Sequence, residues 1–198
     1  MSRKNRKDTV SDNSAHHVVQ RGINRIKIFK ELEDYEYVKH LLRRYLRPHG
    51  IQIYNYCLMP NHIHILLNVK EGASLAKFMQ ALSLAYSSYY RYKYKYSGYL
   101  WQGRYKNFCI DKDSCLLECA RYIERNPIRV KHIIVKDLSL YQWSSYNFYS
   151  KNLSDDIITV NPLFNTFGVT PEERQLKYNE YILTPRPYEE VLDDVLRI

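Results

Sequence analysis

The stretch IQIYNYCLMPNHIHILLNV, residues 51–69, decides how this chain folds. Residues 51–58 alternate and are rich in β-formers, the pattern of a strand. Met59, Pro60 and Asn61 read as a turn, and residues 62–69 as a second strand. Side chains along a strand alternate between faces. His62 and His64 therefore share one face, and Ile63, Ile65 and Leu67 take the other. A pair of half-exposed strand histidines would account for this pattern, and so would a metal site.

Working outward, AHHVVQR (15–21) reads as a strand ended by Gly22. Tyr35, Val38, Leu42, Tyr45 and Leu46 recur at helical spacing over 33–47, and PHG (48–50) stops that helix. Ser74 can cap a long helix in which Leu75, Phe78, Met79, Leu82, Tyr86 and Tyr89 form one stripe. SGYLWQGR (97–104) is a loop and YKNFCI (105–110) a fourth strand. Asp113 or Ser114 caps a helix that Pro127 should end near Asn126. The order β-α-β-β-α-β-α predicts an α+β fold: a ferredoxin-like (split βαβ) antiparallel sheet, with helices packed on one face and the other face free for a ligand. Residues 1–14 read as a disordered basic arm and residues 149–198 as an acidic helical C-terminal extension. In that extension Thr170, Pro171 and Glu173 mark a helix start, and a last short helix is expected over 188–197.

Charge is distributed unevenly. The chain carries +9 overall, made of +13 in residues 1–150 and −4 in residues 151–198. A basic domain with an acidic tail suggests a polyanion partner, most simply nucleic acid. Many of the 20 tyrosines sit beside Lys or Arg, as in YYRYKYKYSGY (89–99), which suits stacking on single-stranded bases and equally suits a half-buried helix. Cys57, Cys109, Cys115 and Cys119 form no CxxC pair, so reduced thiols are expected. No signal peptide and no membrane span is expected, which points to a cytoplasmic, nucleoid-associated protein. The chain has no GxGxxG after a strand and no GxxxxGK[ST], so a nucleotide cofactor is not expected.

Two histidines need a third ligand and a reactive group to make a catalytic metal site. In RYIERNP (121–127), Tyr122 and Asn126 lie four apart on one helix face. Of the 20 tyrosines, only Tyr122 has Asp, Glu, Asn or Gln at i+4. An amide oxygen suits Mg²⁺ or Mn²⁺, and imidazoles bias the choice toward the transition metal. Tyr122 would then be a nucleophile toward a phosphodiester, helped by the dication. The plainer reading makes Tyr122 a core-edge residue and Asn126 a helix C-terminal residue before proline.

Taken together, HHVVQRGINR, YCLMPNHIHILL, FMQALSLAYSSYY, GYLWQGRYK, RYIERNPIRV and YQWSSY resemble the single-tyrosine HUH transposases. The resemblance is strongest to the REP-associated tyrosine transposases and the related insertion-sequence transposases, and runs from about residue 16 to 146. It implies a catalytic domain over 15–148 that cleaves and rejoins single-stranded DNA bearing a hairpin or palindrome. His62, His64 and Asn126 would be the metal ligands and Tyr122 would form a 5′-phosphotyrosine intermediate. Arg104, Arg21, His17, Trp101 and, in the basic arm, Arg3 and Lys4 are candidate DNA contacts. Some members of the family are homodimers and others act as monomers. Two other functions compete: a domesticated nucleic-acid-binding module that does not cut, and a metal-dependent phosphodiesterase using activated water.

Overall fold

Four strands form one antiparallel sheet in a computed structural model that describes residues 13–129 and 133–186. The elements are β1 (Ser14–Arg21), α1 (Leu32–Leu46), β2 (Ile51–Met59), β3 (His62–Val69), α2 (Leu75–Tyr94), β4 (Lys106–Ile110), α3 (Asp113–Arg129), α4 (Tyr146–Lys151) and α5 (Pro171–Leu183). The strand order is β2-β3-β1-β4, as a split βαβ requires. The expected basic arm, with Arg3 and Lys4, and the helix expected over 188–197 fall wholly or almost wholly outside the described residues.

Register assigns each residue to a face. His17 pairs with Leu66, Val19 with His64 and Arg21 with His62. Cys57 pairs with His64 and Met59 with His62 on the opposite flank of β3. Residues on the other parity, among them Val18, Ile63, Ile65 and Leu67, are buried and belong to the main core with Val38, Leu41 and Leu42 of α1 and Phe78, Met79 and Leu82 of α2. Ser83 of α2 donates to Gln20 of β1 at 2.9 Å, which ties α2 to that face. The adjacent histidines of β1 accordingly diverge. His16 turns to the α1/α2 side and His17 to the side of His64.

Local chemistry explains the boundaries. Glu31 and Asp34 form a reciprocal capping box at the start of α1. Ser74 accepts from the Lys77 N–H at the start of α2, and Thr170 accepts from the Glu173 N–H at the start of α5. After α1 the chain reverses at Gly50, which has φ +64°, and a Cβ there would stand 2.8 Å from that of Ala73.

The face expected to be free is covered. α3 lies across it, since Glu124 accepts from Asn55 of β2 at 2.8 Å and the Tyr122 ring meets that of His64. The sheet therefore separates two layers: α1 and α2 on the apolar side, α3 on the histidine side. Pro127 does not end α3 at Asn126, and the helix runs on to Arg129. Proline lacks the N–H that would reach the Ile123 carbonyl. The Asn126 side chain supplies the donor instead, from Nδ2 to Ile123 O at 3.3 Å and to Tyr122 O at 2.9 Å.

Beyond α3 the chain runs along the outer edge of β2. Leu58 N donates to Trp143 O, Ser145 N to Tyr56 O and Thr159 N to Ile53 O. This covers an edge that would otherwise offer unpaired backbone groups. A second apolar cluster of Leu138, Tyr146, Tyr149, Tyr178 and Ile182 then seats α4 and α5.

Candidate active site

β1, β3 and α3 bring three imidazoles and one phenol together. The His62 and His64 rings lie 4.8 Å apart between centroids, nearly perpendicular. The Tyr122 ring stands edge-on to His64 at 5.7 Å and to His17 at 5.9 Å. Strand parity delivers the two β3 histidines, and α3 lays Tyr122 over them. All four residues are buried, none more than 5 % exposed.

Burial sets the electrostatics. It pushes the His17 imidazole down to about 3 and holds His64 well below its ordinary value, with His62, His17 and Arg129 adding repulsion at His64. Both rings are therefore neutral, the form in which an imidazole ligates a metal. His64 Nδ1 is 2.9 Å from His17 Nε2. His64 Nε2 is buried with no hydrogen-bond partner among the described residues. A buried nitrogen lone pair left in this way is what a metal ligand needs, so the donor set fits a divalent cation. Among the described residues no three His, Cys, Asp or Glu side chains cluster as a metal site. Among the described residues, a third protein ligand would therefore be of another type.

Asn126 lies one turn beyond Tyr122 and is 1 % exposed. With Nδ2 committed to the helix carbonyls, its Oδ1 is the end of the amide left for other work. The sequence reading missed Arg129, whose guanidinium carbon lies 4.5 Å from the Tyr122 ring centroid as a cation–π contact. Its position seven residues after Tyr122, on the same side of α3, was the available signal.

The DNA-contact candidates separate. Arg21 pairs with His62 across the sheet and donates from Nε to Gln102 Oε1 at 2.8 Å. Trp101 forms an isolated bridge with Gly22 and donates from its indole N–H to Ser83 O. Arg104 is exposed, on the rim of a cleft of about 390 Å³ that is also lined by Trp101, Gln20, Gln80 and Met79. His17 is 3 % exposed and bonded to His64, inside the site rather than on its surface.

Behind the site, Glu124 accepts hydrogen bonds from Asn55, Ser145 and Tyr178, linking α3 to β2, to the start of α4 and to α5. Burial raises its carboxyl to about 7 despite those three bonds. No helix among the described residues is long and apolar enough to cross a membrane.

Comparison with known proteins agrees with this architecture. A solved REP-associated tyrosine transposase bound to a REP hairpin superposes with a TM-score of 0.62 at 18 % identity, covering 81 % of this chain and 96 % of its own. A transposase-type protein of Deinococcus radiodurans gives a TM-score of 0.43 at 18 % identity, over 63 % of this chain and 97 % of its own. No curated protein matches the chain. The family model for IS200-like transposases matches residues 10–126, more than half of the chain and the whole stretch from β1 to Asn126. The chain belongs to the IS200-like transposase family.

Proposed function

We propose that this transposase cleaves and rejoins single-stranded DNA through Tyr122, with the strand presented beside a hairpin or palindrome. One observation carries the reading: the single phenol of α3 sits ring to ring with the imidazole of His64, beside His62. The solved relative bound to a REP hairpin supports a folded DNA partner.

His62 Nε2, His64 Nε2 and Asn126 Oδ1 would hold a divalent cation of the Mg²⁺ or Mn²⁺ class. When bound, the cation supplies positive charge to the scissile phosphate and to the attacking oxygen. The Tyr122 oxygen forms a bond to phosphorus as the bond to the 3′ oxygen breaks, and a 5′-phosphotyrosine results. The phenol gives up its proton in this step and the departing 3′ oxygen takes one up, so the exchange consumes no net proton. Attack by another 3′-hydroxyl reverses the exchange and reseals the strand, so no nucleoside triphosphate is consumed. Arg129, over the Tyr122 ring, favours negative charge on that residue and on the phosphate approaching it. Arg21, paired with His62 across the sheet, suits phosphate contact on the histidine side, while Arg104 and Trp101 line a cleft against α2 that suits phosphate contact and base stacking away from Tyr122. Because the four central side chains are buried, a strand reaches them only after a local rearrangement.

The test is incubation of the protein with Mn²⁺ and labelled single-stranded DNA carrying a hairpin, resolved on a denaturing protein gel. A covalent adduct that disappears in Tyr122→Phe supports the mechanism. Cleavage without adduct, unchanged in that variant, would make activated water the nucleophile.

A further inference from the structure

The hydrogen bond between His17 and His64 has a direction, and that direction decides whether His64 can bind a cation. Both rings are sealed from water, and a 2.9 Å contact between two ring nitrogens needs one to donate and the other to accept. If His64 carried its proton on Nε2, that N–H would be a buried donor with no partner among the described residues. Such an orphan is costly, and it would block the nitrogen that faces the site. If His64 carries the proton on Nδ1, it donates to His17 Nε2 and leaves its own Nε2 lone pair bare. His17 then holds its proton on Nδ1.

We propose that His17 is a positioning residue that selects the ligating tautomer of His64 and fixes the plane of its ring. The partner that accepts a ligand histidine's second N–H is often a carboxylate or a carbonyl. Here it is a second imidazole, from the neighbouring strand β1. The near-parallel rings, at 22° and 5.2 Å between centroids, restrain both rotamers. Phe108 of β4 closes the far side, 6.0 Å from the His17 ring. The edge contact of His17 with Tyr122 extends the same restraint to the phenol. His17 thus serves the cation site from behind, which differs from direct contact with DNA.

This inference rests on the proposed cation site, and calorimetric titration of the full chain with Mn²⁺ separates the two. His17→Phe keeps the volume and removes the acceptor, and should weaken Mn²⁺ binding about 10–100-fold. His17→Gln places an oxygen acceptor at similar reach and should recover binding to within a few-fold of the original chain. Equal weakening by the two variants, or none by His17→Phe, would overturn the role. His64→Ala is the control for the site: unchanged Mn²⁺ binding there would remove the cation reading itself. Should His17→Phe fail to fold, nitrogen NMR of the unsubstituted, metal-free protein answers the same question. A proton on Nδ1 of His64 is expected, and a proton on Nε2 would overturn the proposal.

Discussion

Asn126 stands where α3 lacks a backbone donor, and its side chain mends the gap left by Pro127. The two readings that the sequence left open for this residue are compatible in the structure, because the donor end of the amide holds the helix and the acceptor end remains available. Asn126→Ala should therefore show two effects. Stability should fall by about 1–2 kcal/mol as the Ile123 carbonyl loses its donor and the Tyr122 carbonyl a second one, seen as a lower urea midpoint. Adduct formation should also be lost, beyond what that destabilisation explains. Arg129→Met keeps the length of the side chain and removes its charge. It should slow adduct formation about 100-fold, in line with loss of one preorganised electrostatic contact, with DNA affinity changed only a few-fold in a binding titration. At this scale parity along β3 made His62 and His64 legible, and an i, i+4 count singled out Tyr122 with Asn126. His17 and Glu124 acquire their surroundings from distant strands and helices, which periodicity does not report, whereas Arg129 was marked only by its position two turns after Tyr122.

α3 is the element on which the site turns. One side lays Tyr122 on the histidines, and another holds the extension. Arg121 donates to the carbonyls of Tyr181 and Thr184, and Arg125 to those of Ile182 and Leu183. These are the carbonyls at the C-terminal end of α5, where positive charge is favoured. Arg125→Met should cost about 2 kcal/mol, the scale of buried hydrogen bonds to a charged group, measured as a shift in denaturant midpoint. The start of α1 depends on pH instead. Burial alone would raise the Asp34 carboxyl, but hydrogen bonds from Tyr94, the Lys30 N–H, Lys93 and the Glu31 N–H outweigh it and bring it below its ordinary value. A carboxyl depressed in the folded state adds stability above the unfolded value of about 4, and loses it as pH falls through the folded value. Asp34→Asn should thus be less stable than the original chain at pH 7, with the gap closing below pH ~4. The helix starts at Ser74 and Thr170 were readable from capping chemistry, while the continuation of α3 past Pro127 depended on a side-chain donor that a proline rule ignores.

Across the whole molecule, two sides of one sheet divide the labour. The α1/α2 side is an apolar core whose residues the hairpin pattern already exposed, and the α3 side carries the proposed site. The order of elements gave the split βαβ, because the period changes between residues 15 and 126 mark elements that the sheet and its helices contain. The covering of the β2 edge by residues 143–159 was not readable, since those contacts join segments roughly a hundred positions apart. Charge divides along the chain instead, with +13 in residues 1–150 against −4 in residues 151–198. Binding to single-stranded DNA should weaken steeply with added salt as counterions are released. A flat salt response in a fluorescence titration would mean that the basic surface is not the DNA surface. The most direct test of the account is mass spectrometry of the trypsin-digested DNA adduct. Cleavage after Arg121 and Arg125 isolates residues 122–125, YIER, and the account predicts a nucleotide joined through a 5′-phosphate to the tyrosine of that peptide. A nucleotide on any other peptide, or cleaved DNA with no modified peptide, would contradict it.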